Sequence, residues 1–406
     1  MSAFLSPGNL QWPAIDAIPR METTFCLLHH ECPGLMRDER PTMVDQIPFQ
    51  MTAVQLVGHG GTEMLHYRED VPIPTPEPGE VLIKVAAAGI NNTDINTRIG
   101  WYSKKVSDAT SEGGVEGFDN VDTSDATWSG MPMVFPRIQG ADCCGRIVAV
   151  GDRVDTARIG ERVIVRTLMR NYVDNRPFEC SVFGSEYDGA FAQFVKIHAK
   201  EAYPVKSDLT DVELASIPCA FSTAEGMLHR ASVGAERVLV TGASGGVGTA
   251  AIQLAKRRGA YVIAVASGSK ANAVRDLGAD EVVDRNADLV KAVGSDSVDV
   301  VVDLVVGDTW PSLLEVLKRG GRYATAGAIA GPIVEFDVRR LYLKDLTFFG
   351  CTFQEDIVFE NLVKYIENVE IRPVVAKTLP LSEIGQAQEE FLAKKFTGKL
   401  VLIPPA

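Results

Sequence analysis

The residues with the clearest chemical capacity lie in the run Val238-Leu-Val-Thr-Gly-Ala-Ser-Gly-Gly-Val-Gly-Thr-Ala250. An apolar strand there enters Ala243-Ser244-Gly245-Gly246-Val247-Gly248, a variant of G-x-G-x-x-G with alanine first and Gly242 just before it. Glycines let the backbone turn sharply, let a pyrophosphate approach main-chain N–H groups, and let the next helix pack closely on its strand. That helix, expected over Thr249–Arg258, turns its positive end toward phosphate. A glycine loop alone also serves ordinary turns. Here a second strand, Gly259–Ala266, follows at the distance of a βαβ unit. Where an NAD site places Asp or Glu after this strand, the chain reads Ser267-Gly-Ser-Lys270. Ser267 and Lys270 can donate to a ribose 2′-phosphate, and Arg285, after Glu281–Asp284, can add a bidentate clamp. The alternative is a solvated basic pair on a loop; the missing acid favours NADPH over NADH.

The elements around this site follow a regular plan. From Met51 to about residue 204, short strands are separated by Gly and Pro, as in Val71-Pro-Ile-Pro-Thr-Pro-Glu-Pro-Gly79, which points to a small β-rich barrel-like domain. Residues 205–353 alternate strands and helices, the rhythm of a doubly wound parallel sheet whose ligand lies beyond the strand C-termini. Residues 354–406 hold two helices and a last strand, Gly398–Ile403, expected to return to the first domain. Residues 1–50, with acids, prolines and no clear period, read as a disordered tail or a loosely docked arm. A formal charge of −13 argues against nucleic acid as a partner, and no apolar run reaches membrane-spanning length. Seven cysteines without paired spacing fit a reducing compartment, with the cytoplasm expected.

The order of segments resembles the medium-chain dehydrogenase/reductase superfamily from Met51 to Ile403. The resemblance is carried by Pro-Gly-Glu-Val-Leu-Ile-Lys-Val (78–85), Gly-Ile-Asn-Asn-Thr-Asp (89–94), Gly-Ala-Asp-Cys-Cys-Gly-Arg-Ile-Val-Ala-Val-Gly (140–151), Asp-Gly-Ala-Phe-Ala-Gln-Phe (188–194), the nucleotide loop, Leu-Gly-Ala-Asp (277–280) and Thr-Gly-Lys-Leu-Val-Leu (397–402). It implies a chaperonin-10-like (GroES-like) catalytic domain, a Rossmann domain, a cleft between them, and hydride transfer from a nicotinamide cofactor. Zinc-dependent members place Cys where this chain has Asn91, His-Glu where it has Ala141-Asp142, and a third ligand where it has Cys219. The soft ligands are gone from the first two positions, so no metal is expected, with a residual site from Asp94, Asp142 and Cys219 as the alternative. The four-cysteine structural lobe is missing too, since Cys180 is the only cysteine between Cys144 and Cys219.

Without zinc, another group must meet the charge that hydride transfer creates. The chain resembles the zinc-free quinone oxidoreductases and enoyl reductases, which carry Asn-x-x-Asp and then Gly-x-Tyr, here Asn91–Asp94 and Gly100-Trp-Tyr102. The resemblance gives Tyr102 the role of hydrogen-bonding the enolate or protonating the carbanion, with Asn91 offering amide donors. Tyr102 could equally be an aromatic wall, and Asn91 could equally fix a turn. The resemblance also turns Thr223 toward the nicotinamide and sets Ala326, Gly327 and Gly350 along its carboxamide edge. Two departures pull in opposite directions. The acidic segment 103–133, longer than in simple quinone oxidoreductases, would disfavour anionic acyl-CoA as a cap on the cleft and have no such effect as a solvated outer loop. Arg285 is more like crotonyl-CoA reductases. The leading expectation is zinc-independent, NADPH-dependent reduction of a quinone or an α,β-unsaturated carbonyl, by a homodimer paired along Leu346–Phe353. An alcohol or aldehyde dehydrogenase and a non-catalytic NADPH-binding protein are the alternatives.

Overall fold

The computed structural model describes residues 47–170 and 178–406. The arm expected over residues 1–50 lies almost wholly outside the described residues. Arg237–Val240 is an apolar strand with Tyr261–Ala266 and Glu281–Asp284 stacked on one side. On its other side lie Val298–Asp303, Leu317–Thr325 and Thr347–Gly350, all parallel. Reading the sheet edge to edge gives the strand order 3-2-1-4-5-6 of a Rossmann fold, which opens a crevice where the order reverses, at the end of Arg237–Val240. Fully buried Val238, Leu239 and Val240, with Val300, Val301 and Val302 alongside, explain why these strands read as unbroken apolar runs: helices cover both faces.

The GroES-like part is antiparallel for most of its extent. Glu80–Gly89 is its central strand, pairing with Cys144–Val150, with Phe194–His198 and, at its end, with the last strand of the chain, Lys399–Ile403. That last strand also pairs in parallel with Val375–Pro380. The chain thus leaves the nucleotide sheet after Thr347–Gly350 and returns to the catalytic sheet. A separate sheet joins Leu65–Pro72, Gln50–Leu56 and Arg137–Ile138.

Two details bear on the site, and the first differs from the sequence expectation. The helix after the glycine loop begins at Gly246, not Thr249, and runs to Arg257. Gly246 and Gly248 therefore form its first turn. A Cβ on Gly248 would stand 2.3 Å from the Gly242 carbonyl oxygen, so the helix can start this close to its strand only with glycine there. The second detail is Asp303, which ends a valine-rich strand yet is fully buried. Its carboxylate accepts hydrogen bonds from the Thr241 and Tyr323 hydroxyls and from the Val305 and Val306 amides. It ties three neighbouring strand ends together and holds Val306 at φ 60°, a conformation costly for a β-branched residue.

Candidate active site

Asn91 caps the helix Asn92–Ile99, and a capping box fixes it: the Asp94 carboxylate accepts from the Asn91 amide at 2.7 Å. The other Asp94 oxygen accepts from the Ala141 amide at 3.1 Å, and the Gln139 side chain donates to the Asp94 carbonyl. One buried carboxylate thus joins the two loops that carry Asn91 and Asp142. Burial dominates its titration and raises it to about 7, with the Asp142 charge pushing the same way against the amide donors and Lys399.

Asp142 is fully buried and each of its oxygens is engaged. One accepts from the Cys219 amide at 2.6 Å, in the first turn of the helix Pro218–Arg230, where a negative charge is favoured. The other accepts from the Asn91 side-chain amide at 2.9 Å and from the Lys399 ammonium at 2.8 Å. Lys399 also donates to the Asn91 side-chain oxygen. A Cβ on Gly89 would meet the Asp142 carboxylate at 2.4 Å, so the strand end must be glycine for the cluster to close.

This corrects two readings. Asn91 does not direct a free amide into the cleft, because both ends of its side chain are held by Asp142 and Lys399. Nor do Asp94, Asp142 and Cys219 make a metal centre: Asp94 is spent on backbone amides and an ammonium is paired with Asp142, which leaves a single thiol. Among the described residues no group of three His, Cys, Asp or Glu is placed to hold a metal ion. Lys399 went unassigned in the sequence reading, although a lysine opening the strand Lys-Leu-Val-Leu-Ile is itself a signal that it has a buried partner.

Lys399 also reaches the nucleotide loop. Gly398 bridges to Gly245 and donates to the Ser244 carbonyl at 3.1 Å, and the Lys399 stem lies where a Cβ on Gly246 would stand. Ala243 is buried, while Gly245 is exposed and Gly246 and Val247 are half-buried at the helix start. Their amides are the donors that a pyrophosphate would use, so the loop fits a dinucleotide.

Tyr102 follows the same helix. Its hydroxyl is 3.0 Å from the Thr93 hydroxyl, its ring meets Trp101 edge-on, and burial pushes its titration well up, so it remains protonated at any working pH. Trp101 lines a cavity of about 450 Å³ with Val306, Ala326, Gly327, Gly350 and Cys351, which brings the expected carboxamide-edge residues together. Thr223 lies one turn along the helix from Cys219 and hydrogen-bonds its thiol. Part of segment 103–133 reaches the turn that follows the strand Leu317–Thr325: the Thr110 amide donates to the Ile329 carbonyl, and the buried Arg98 guanidinium holds the Gly114 carbonyl. At the adenosine end, Lys270 donates to the Lys394 carbonyl and the Ser267 hydroxyl lies 3.3 Å from that of Ser269. Asp284, one residue before Arg285, accepts from the Gly268 amide at 2.9 Å, an acid that the linear order did not place here.

The chain matches two family models, the alcohol dehydrogenase GroES-like domain over residues 77–207 and the zinc-binding dehydrogenase over residues 246–368. It is 30% identical to the quinone oxidoreductase of Lama guanicoe over 368 residues, covering 87% of this chain and 97% of that protein. This chain is a member of the medium-chain dehydrogenase/reductase superfamily. Within it, the acryloyl-coenzyme A reductase of Metallosphaera sedula is 29% identical over 87% of this chain and 99% of its own. A crystal structure from Sinorhizobium meliloti 1021, provisionally described as an alcohol dehydrogenase, is 47% identical with a TM-score of 0.80, covering 89% of this chain and 99% of that one. The chain is accordingly an oxidoreductase of a family that uses a nicotinamide cofactor and small-molecule substrates.

The Asp94 geometry predicts a pH signature. A carboxyl raised in the folded state lends stability that is complete below its unfolded value near 3.8 and is lost as pH rises through about 7. Asp94→Asn removes this slope, so the difference in Tm, wild type minus variant, should fall between pH 5 and pH 8. A difference that is flat or rises over that range would mean that Asp94 is ionised throughout.

Proposed function

We propose that this protein is a zinc-independent, NADPH-dependent reductase of quinones or α,β-unsaturated carbonyls. The observation that carries the reading is the Lys399 ammonium held between Asn91, which stands where the metal-dependent relatives have cysteine, and Asp142, next to the Ala141 that stands where they have histidine. The functional division follows residues 51–204, 205–353 and 354–406. Ala326, Gly327 and Gly350 would hold the nicotinamide, which would supply the hydride. The chain's own residues handle the rest. Reduction at the β-carbon of a conjugated carbonyl leaves negative charge on the carbonyl oxygen, and this reading assigns the Tyr102 hydroxyl, held by Thr93, as the donor that meets it. Thr93 orients that hydroxyl. Asn91, Asp142 and Lys399 act behind them by fixing the helix starts that present Thr93 and Thr223.

Consumption of NADPH with a chelator present, against a quinone, an alkenal, an enoyl thioester and a saturated aldehyde, separates the readings. Turnover of conjugated acceptors alone is expected, and Tyr102→Phe should lower kcat by roughly a hundredfold. Turnover of the saturated aldehyde alone would identify an alcohol dehydrogenase instead; stoichiometric NADPH binding with no turnover would favour a non-catalytic binding protein.

Preference for NADPH is supported by Ser267, Lys270 and Arg285. Asp284 supports the second reading, NADH, because a carboxylate near the strand end repels a 2′-phosphate. Lys270→Ala with Arg285→Ala should weaken NADPH by about 10- to 100-fold and NADH little, the loss of charge-assisted bonds to one phosphate. Equal weakening of both would refute the 2′-phosphate assignment.

A homodimer is the assembly that fits the sheet edge. Among the described residues no strand pairs with the outer side of Thr347–Gly350, and Val338, Tyr342 and Leu343 are exposed. Sedimentation at micromolar concentration should give a dimer, and a monomer would remove this part of the proposal.

A further inference from the structure

Lys394 stands in a conformation that suits glycine. It ends the helix Ile384–Ala393 in the left-handed region, at φ 50° and ψ 33°, where a side chain is penalised and glycine is the usual occupant. Its carbonyl accepts from the Lys270 ammonium at 2.6 Å, and its own ammonium lies 3.5 Å from the Phe391 ring centre. Much of the residue's surface is open, but its amine is the crowded part: desolvation, with the ammoniums of Lys270 and Lys399 beyond it, pushes that amine down to about 7. Lys270 is pushed down too, by burial and by Arg285. Lys270 thus lies between cations of two other elements, Arg285 and Lys394.

Neighbouring lysines have found acids. Lys256 pairs with Asp280, Lys377 with Glu390 and Lys399 with Asp142, while among the described residues none of Lys270, Arg285 and Lys394 reaches a carboxylate within salt-bridge distance. Uncompensated positive charge is unexpected in a chain with a formal charge of −13, unless an anion is to be bound there. The place also matters. Four residues after Lys394, Gly398 docks on the Ser244-Gly245 turn, so the segment 394–399 runs alongside the phosphate loop.

We propose that Lys394 is the third arm of the 2′-phosphate site, closing with Lys270 and Arg285 on the phosphate monoester of an NADP-type dinucleotide. The inference rests on the NADPH reading above and adds to it a residue from the returning segment, outside the nucleotide sheet. A phosphate monoester is a stronger acceptor for Lys270 than the Lys394 carbonyl it now holds, and it provides the counter-ion that Lys394 lacks. A lysine is then kept where the backbone alone would prefer glycine, as expected of strain stored at a functional position.

The test is fluorescence titration of the full chain with NADPH, NADH and 2′,5′-ADP, with Tm measured on each variant. Lys394→Gly should weaken NADPH and 2′,5′-ADP by about tenfold, leave NADH within about twofold, and leave Tm unchanged or raised. Lys394→Met should weaken the same two ligands without relieving the backbone, and Lys395→Ala, one residue on, should alter none of them. Unchanged NADPH binding in both Lys394 variants would overturn the proposal. Equal weakening of NADPH and NADH would overturn it too, by assigning Lys394 to the shared pyrophosphate. Lys270→Ala with Arg285→Ala separates the two levels: if that variant discriminates NADPH from NADH and the Lys394 variants do not, the third arm fails while the NADPH reading stands.

Discussion

The buried ion pair between Lys399 and Asp142 is the constraint on which the rest of this site depends. Two charges out of water are costly, and they persist only when geometry and further hydrogen bonds compensate. Here the compensation comes from elements far apart in sequence: the Asn91 side chain, the Cys219 amide at a helix start, and the close approach allowed by Gly89. Removing either charge would strand the other at a cost of about 3–5 kcal/mol. The pair fixes the relative positions of the Glu80–Gly89 strand, the helix that carries Thr223 and the last strand of the chain. Through Gly398 it also fixes the phosphate loop against the catalytic sheet.

A second buried carboxylate does corresponding work in the nucleotide sheet. Asp303 gathers donors from three strand ends and presets the turn that carries Val306 into the cavity beside Ala326 and Gly327. Both carboxylates are engaged by donors of the fold itself. Their effect is to hold Cys219, at the start of the helix that carries Thr223, and Thr241, at the entry to the glycine loop, on rigid element ends.

Much of the architecture was legible because its signals are local. The glycine loop, the valine-rich parallel strands and the strand–helix alternation each follow from backbone geometry and burial, and the family relationship confirms the fold they imply. The start of the helix at Gly246 was missed because glycines read as loop, although close packing requires them inside the first turn. The polar cluster was only partly legible. Asn91, Asp94 and Asp142 stood out as residues, but their partner Lys399 lies more than 250 positions from Asp142, and no periodicity links them. The same holds at the adenosine end, where Lys394 and Asp284 reach Lys270 and Gly268 from other elements. Pairing across the fold, not residue type, decided which polar groups remain available to a ligand.

The claim that an ammonium takes the place of a metal is tested most directly by equilibrium dialysis of the full chain against zinc at neutral pH, followed by measurement of bound metal. The account predicts far less than one zinc per chain, and the same NADPH-linked turnover before and after dialysis. One zinc per chain that disappears in Cys219→Ala and carries the activity with it would contradict the account.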